Sequence, residues 1–388
     1  MDVYLYPLKT AALIFPLIAL VISLPFLIRQ YYKYGGFSFW RALIIYSFIF
    51  YLLCSYLLVI LPLPSQANVS QLTTAKTQLM PLRFLVDFVQ HTAFSLTNPH
   101  TYITALKQGV FIQPLFNLML LLPLGVYLRF YFKRSLLFII ITAFCVSLFF
   151  EVTQLSGLYG YYDRSYRLFD VDDLLLNTVG GWIGYALAPL LTFFIPSDET
   201  LRNNAYSRSH QVSYLRRLMA FLIDWLLIGI IGEFMMIKNH SLFSGTVLYQ
   251  FSWLNTASYI LTIVVFFIMI PYIFNGRTLG KLIVHLKIVD DLDQSPSLPQ
   301  YFIRYGLLYG VVFTLINVEF NLLELTGTSD NLNLLNYLIY IVFFFILVFV
   351  VHLLINKLRK NAPLFYEKIS YTHMMSSFSL FRKKTTRK

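Results

Sequence analysis

Over 388 residues the chain is 58% hydrophobic and 12% charged, about half the roughly 25% charged share of an ordinary soluble chain. That excludes a single water-soluble globule, because the apolar residues must face something other than one core. The net charge of +12, from 30 Lys+Arg against 18 Asp+Glu, would suggest nucleic acid in a soluble protein. Here the basic residues stand at the ends of apolar runs and near the C-terminus, so anionic lipid headgroups are the expected partner and nucleic acid is not.

In chain order, the apolar runs approach the roughly 20 residues a helix needs to cross about 30 Å of hydrocarbon. Spans are predicted over residues 11–28, 40–61, 116–132, 136–156, 174–195, 215–237, 251–274, 305–318 and 334–355. The expected fold is an all-α integral membrane protein of about nine transmembrane helices, roughly five in a first module and roughly four in a second. The first span reads as a retained helix, not a cleaved signal, since Lys9 is the only basic residue before it and further spans follow. Cys54 and Cys145 each lie inside an apolar run, where thiols act as small packing groups and not as a disulfide or metal pair. The expected divisions are a module over 1–196, a polar, unpatterned linker over 197–212, a second module over 213–358 and a basic cytoplasmic tail over 359–388.

Threading the loops alternately puts every Lys and Arg on one side except Lys9, Lys76, Arg83, Lys107, Arg164, Arg167 and Lys238. By the positive-inside rule the rich side is cytoplasmic, so the N-terminus is expected outside and the C-terminus inside. The loop between the last two spans carries Glu319, Glu324 and Asp330 with no Lys or Arg and belongs outside. Between the second and third spans, Leu82, Phe84, Leu85, Phe88 and Val89 recur at helical spacing beside Arg83, Asp87 and Gln90. This predicts an amphipathic helix on the outer interface, with a re-entrant segment as the rival.

Ionisable groups inside or at the rim of spans are costly and need a partner or a role. Glu151 and Gln154 stand three apart on one face of the fourth span. After them come Arg164, Arg167, Asp170, Asp172 and Asp173, and then Asn177 in the first turns of the fifth span. Helix capping accounts for one aspartate, with Asp172 or Asp173 as the cap, but not for all three. Gly180 and Gly184 form a small-xxx-small pair, and packing against the fourth span would bring Asn177 near Glu151. The cluster reads either as a structural polar lock or as a binding or catalytic site.

These residues resemble a known family. Asn117, Pro123 and Gly125, then Glu151-Val-Thr-Gln154, then the run from Arg167 through Asp170, Asp172, Asp173, Asn177, Gly180 and Gly184 to Tyr185 are similar in order and spacing to the VanZ-like family, over roughly 11–195. The resemblance implies a bacterial membrane protein. The founding member is associated with low-level resistance to teicoplanin-type glycopeptides, and no reaction is implied.

In the sixth span, Arg216 and Arg217 mark the inner end and Asp224 lies about two turns, roughly 10 Å, further in. A buried Asp there is neutral, paired or open to a polar path. The next inner loop, Asn275-Gly276-Arg277-Thr278-Leu279-Gly280-Lys281, has one residue too few between its glycines for a phosphate loop, and Leu282 follows Lys281 where Ser or Thr is required. Nucleotide binding is therefore rejected, and a turn into a short strand or interfacial segment is predicted. Arg217, Ala220, Asp224, Gly276, Gly280, Lys281 and Arg304 resemble the RDD family over about 212–358, with Asp290 or Asp291 as alternatives for that family's second aspartate. That resemblance brings transport, including cation exchange, among its suggested activities.

The leading functional expectation is a non-enzymatic protein of the bacterial plasma membrane, with no cofactor and no catalytic residue, whose outer polar cluster binds a cell-wall precursor, a lipid-linked headgroup or a lipoglycopeptide. The alternatives are a membrane enzyme acting on a lipid-linked substrate, with Glu151 and the 170–173 carboxylates as a base or divalent-cation site, and a secondary transporter built on Asp224. Against the enzyme stand the lack of a nucleophile elbow and of a His pair at ligand spacing.

Overall fold

The structure is a computed structural model describing residues 2–95, 97–243, 260–313, 332–358 and 363–378. It divides into two compact units, Met1–Ile22 with Phe39–Asp198, and Ser23–Ser38 with Glu199–Lys388.

Apolar runs become long helices because hydrocarbon offers the backbone no hydrogen bonds, so each segment satisfies its own. Six described helices are long and apolar enough to cross a membrane: Leu5–Tyr34, Phe39–Ile60, Gly109–Phe130, Leu136–Leu155, Val171–Leu191 and Asn336–Asn356. They cover the predicted first to fifth and ninth spans. The predicted sixth lies within a helix at Tyr214–Phe243. The seventh and eighth lie partly outside the described residues, as does the acidic loop after them.

In the first unit, α1 (Asp2–Tyr34) and α2 (Phe39–Ile60) precede a long loop. That loop carries β1 (Thr77–Gln78) and α3 (Arg83–His91). The third span is two helices in series, α4 (Gly109–Leu120) and α5 (Leu122–Phe130), with Pro123 in the first turn of α5, where its missing N–H costs nothing. Next come α6 (Leu136–Leu155), β2 (Phe169–Asp170) and α7 (Val171–Leu191). The parallel pairing of Thr77 with Phe169 and Gln78 with Asp170 brings the long loop to the start of α7.

The glycines of α7 let backbones touch. A Cβ on Gly180 would lie 2.0 Å from the Leu118 carbonyl oxygen, and one on Gly184 would lie 1.9 Å from that of Leu122. This corrects the expected partner: the Gly180/Gly184 stripe packs on the third span, while Gly181 faces Ala143 of the fourth. Leu121, Leu124, Ile139, Ala143 and Phe150 form the buried centre of this unit.

In the second unit, residues 198–209, expected as unpatterned linker, form α8 (Asp198–Ser209), whose buried Leu201 and Ala205 are four apart. There follow α9 (Tyr214–Phe243), α10 (Ile260–Ile273), α11 (Leu279–Ile283), β3 (Leu286–Asp290), α12 (Leu298–Tyr305), which runs on as a π-helix over Gly306–Phe313, and α13 (Leu332–Leu358). The short strand predicted after Lys281 is therefore present. Residues expected as basic tail instead form α14 (Phe365–Ile369) and β4 (Thr372–Ser376), which pairs antiparallel with β3 from Leu286↔Ser376 to Asp290↔Thr372. Residues 379–388 of that tail lie outside the described residues.

The end of α1 also departs from the expected 1–196 module, since Ser23–Ser38 belongs to the second unit. At 33 residues α1 extends about 50 Å, more than a span requires. Its far end supplies Tyr31 to a buried cluster with Met219, Ala220, Ile223, Val284 and Leu286.

Candidate functional site

The polar residues of the first unit fall into a shell and a cavity. Glu151, buried near the end of α6, accepts a hydrogen bond from the Asp170 N–H at 2.9 Å through Oε2. Asp170 is the N-cap of α7, its Oδ1 accepting from the Asp172 N–H at 2.9 Å. The predicted cap at Asp172 or Asp173 is thus corrected by two or three residues. Cap geometry requires extended backbone, and the chain is still extended at Asp170.

The two following carboxylates point away from their own helix. Asp172 accepts from Leu82 N–H at 2.6 Å and Phe84 N–H at 2.9 Å, so it caps α3. No side chain of α3's own N-cap residue, Leu82, can do this. Asp173 accepts from the Asn117 side-chain amide of α4. Asn177 does not meet Glu151. It donates to Ser147 Oγ at 2.9 Å, one turn away on α6, while Ser147 donates to the Asp173 carbonyl at 3.3 Å. Gln154 and Arg167 both donate to the Val59 carbonyl, at 3.0 and 2.8 Å, and Arg164 donates to that of Thr74 at 2.6 Å. These three fasten the ends of α2 and the long loop.

Asn117, Asp170, Asp172 and Asp173 line one cavity of about 790 Å³, together with Arg83, Asp87 and His91 of α3 and Gln113 of α4. Glu151, Gln154, Arg164, Arg167 and Asn177 are not among its lining residues. Burial pushes the Asp170 carboxyl above the usual carboxylate range, against the hydrogen bond from Asp172 N–H. Asp170 and Asp173 each commit one carboxylate oxygen to a hydrogen bond, whereas Asp172 commits both. Among the described residues no three His, Cys, Asp or Glu converge as metal ligands. Carboxylates and amides in this arrangement can accept hydrogen bonds from a ligand and balance positive charge on it.

In the second unit Asp224 is paired. Its Oδ2 accepts from Thr278 Oγ1 at 2.6 Å, its Oδ1 from Gly280 N–H at 2.7 Å, and Lys281 Nζ lies 3.7 Å away. The carboxylate thereby holds the start of α11, whose own N-cap is Thr278. The approach depends on Gly280, because a Cβ there would lie 2.2 Å from the Ala220 carbonyl oxygen. At Gly276 the backbone has φ +83°, and a Cβ would lie 2.1 Å from the Ile288 carbonyl oxygen.

Arg217 and Arg304 converge on Glu367 of α14, each at 2.9 Å and one on each carboxylate oxygen. Neither Asp290 nor Asp291 enters that buried group. Asp290 caps the turn after β3 by accepting from Leu292 and Gln294 N–H, and Asp291 is exposed. Sequence reasoning missed Glu367. Its Oε2 also accepts from the Leu364 N–H at 3.0 Å, but a leucine side chain cannot return the bond that completes a capping box, so no local motif pointed to it. It missed Arg216 as well, a fully buried guanidinium donating to the carbonyls of Val284, Ser209 and His285 at 2.7–2.8 Å.

Compared with known families, residues 48–195 match the VanZ/LLP1 model and residues 212–364 match the RDD family model. No curated protein and no solved structure matches the chain.

Proposed function

The chain is a VanZ-family module joined to an RDD-family module, and so a multi-pass membrane protein; on that premise we propose that it binds an envelope ligand in the acid-lined cavity of its first unit, without chemically changing it. The observation that carries this reading is the cavity itself, about 790 Å³ and bordered by Asn117, Asp170, Asp172 and Asp173. That volume falls within the roughly 300–1,000 Å³ of small-molecule sites. A purely structural polar lock would close on itself, with every carboxylate oxygen spent.

In this reading the protein resides in the bacterial plasma membrane with its N-terminus outside and its C-terminus in the cytoplasm, which the distribution of Lys and Arg supports. The cavity then opens on the outer side, where a cell-wall precursor, a lipid-linked headgroup or a teicoplanin-type lipoglycopeptide would meet it. A non-enzymatic role agrees with the cavity lining, since Asp170 and Asp172 cap helices, Asp173 accepts a hydrogen bond from the Asn117 side-chain amide, and no Ser, Cys or Lys is among the lining residues. The transport reading through Asp224 is weaker, because that carboxylate is held by Thr278, Gly280 and Lys281.

The test is teicoplanin susceptibility in cells making the Asp170→Asn/Asp173→Asn protein at normal level in the membrane. The double variant is expected to reproduce the deletion phenotype, a change of several-fold in the inhibitory concentration. Unchanged susceptibility in both the deletion and the variant sinks the antibiotic-related form of the reading. Failure of the purified chain to retain any labelled lipid-linked precursor or lipoglycopeptide sinks binding as such.

A further inference from the structure

The helix α3 has two unlike faces. Phe84, Asp87, Phe88 and His91, spaced three and four apart, turn inward: Phe84, Asp87 and His91 line the cavity, and the Phe88 ring lies 5.8 Å from that of Phe111 on α4. Leu82, Leu85, Val86 and Val89, at the same spacing, turn outward and are 52%, 50%, 43% and 68% exposed. An apolar stripe of this width on a helix normally marks the side that is covered. No described part of the first unit covers it.

Its position indicates what does. The cavity walls are the opening turns of two membrane spans, with Val110, Gln113, Pro114 and Asn117 on one and Asp172, Asp173 and Leu176 on the other. The cavity and α3 therefore lie at the level where hydrocarbon gives way to headgroups. The exposed Leu115, Phe116 and Met119 on the same span as Asn117 continue the apolar surface toward the bilayer centre. Lipid is the medium that meets both.

We infer that α3 lies in the outer leaflet as the roof of the cavity, and that the ligand is a membrane-anchored amphiphile with an amine-bearing head, its head beneath α3 and its acyl chain in the leaflet. This rests on the ligand-binding reading above and adds the class of ligand and its route of entry. The head is assigned from charge. Asp87, Asp170, Asp172 and Asp173 line the cavity against Arg83 and His91, so carboxylates outnumber cations there, and Arg83 Nε lies 3.7 Å from the Asp87 carboxylate in an exposed pair. The remaining acceptor oxygens of Asp170 and Asp173 suit ammonium and amide donors and repel phosphate. Asp172 sets the geometry, because its bonds to the Leu82 and Phe84 N–H groups hold the roof to the floor.

The test uses the full chain in vesicles of phosphatidylcholine and phosphatidylglycerol, on a Cys54→Ala/Cys145→Ser background. A fluorophore on Leu85→Cys should be quenched by nitroxide-bearing lipids and shielded from iodide. Saturable binding is then compared for hexadecyl lysinamide, methyl lysinamide and hexadecyl phosphate. Hexadecyl lysinamide should bind at least ten-fold tighter than either of the others, and both Asp170→Asn/Asp173→Asn and Leu85→Asp/Val89→Asp should abolish that advantage. Quenching of the Leu85 label by iodide alone would overturn the placement of α3. Equal saturable binding of the two lysinamides would overturn entry from the leaflet while leaving the cavity a binding site. A preference for hexadecyl phosphate would overturn the amine head. No saturable binding of any probe, together with unaltered teicoplanin susceptibility of the aspartate variants, would remove the binding reading itself.

Discussion

Asp172 stands in the first turn of α7, yet its carboxylate caps a helix that begins about ninety residues earlier in the chain. Two backbone amides bonded to one carboxylate are charge-assisted bonds of roughly 1.5–3 kcal/mol each. Asp172→Ala should therefore raise amide exchange across residues 82–91 while leaving the body of α7 protected, and Asp170→Ala should loosen the first turn of α7. Exchange measured by mass spectrometry in detergent separates the two. Glycine offers a second contrast at this scale. Gly280→Ala places a methyl 2.2 Å from the Ala220 carbonyl oxygen, whereas Gly229 has nothing within 4 Å of its added Cβ. The first substitution should destabilise the protein by about 1–3 kcal/mol or more. The second should leave it unchanged or stabilise it by up to about 1 kcal/mol, as for a Gly replaced within a helix. Thermal unfolding of the two variants side by side checks the pair. That Asp224 must be neutral, paired or open to a polar path followed from its depth in an apolar run; that it is paired did not, because its partners Thr278 and Gly280 lie more than fifty residues on, where only the folded chain brings them near.

At the level of elements, α14 and β4 attach the C-terminal region to the second unit through β3 and through Glu367. Burial opposes the charge on Glu367, but Arg304 and Arg217 outweigh it and hold the carboxyl below the usual carboxylate range. A carboxyl whose pKa is depressed on folding contributes stability that is complete above its unfolded value and is lost as pH falls through the folded one. The attachment should therefore hold at neutral pH and release only in strong acid. Removing one partner of a buried pair costs about 3–5 kcal/mol. Glu367→Gln should accordingly release residues 363–378 to limited proteolysis at neutral pH, with α9 still intact. Equal protease resistance of variant and parent would refute the attachment. The region is rich in Lys and Arg overall, and that average hid one acidic residue whose partners are two arginines far away in sequence. The linker hid α8 in the same way, since its buried side is only Leu201, Ala205 and Ser209, with two apolar residues among them.

For the whole molecule, hydrocarbon as solvent explains both the composition and the fold. Long apolar helices dominate, and the described sheet is confined to two short pairs. Positive-inside orientation predicts that a tag inserted at Gly160 is reached by an impermeant reagent from outside and that one after Lys388 is not. The reverse labelling would invert the proposed site. Six of the predicted spans, the two family modules and the helix over Arg83–His91 were legible in the sequence because each rests on local periodicity or on hydropathy summed along the chain. Which aspartate caps which helix, which span the Gly180/Gly184 stripe meets, and the pairing of Glu367 with Arg217 and Arg304 were decided only by tertiary structure. Hydropathy is additive along a segment, so a sequence carries it whole. A hydrogen bond acts over about 3 Å between groups the chain can hold dozens of residues apart, and only the packed helices select its partner.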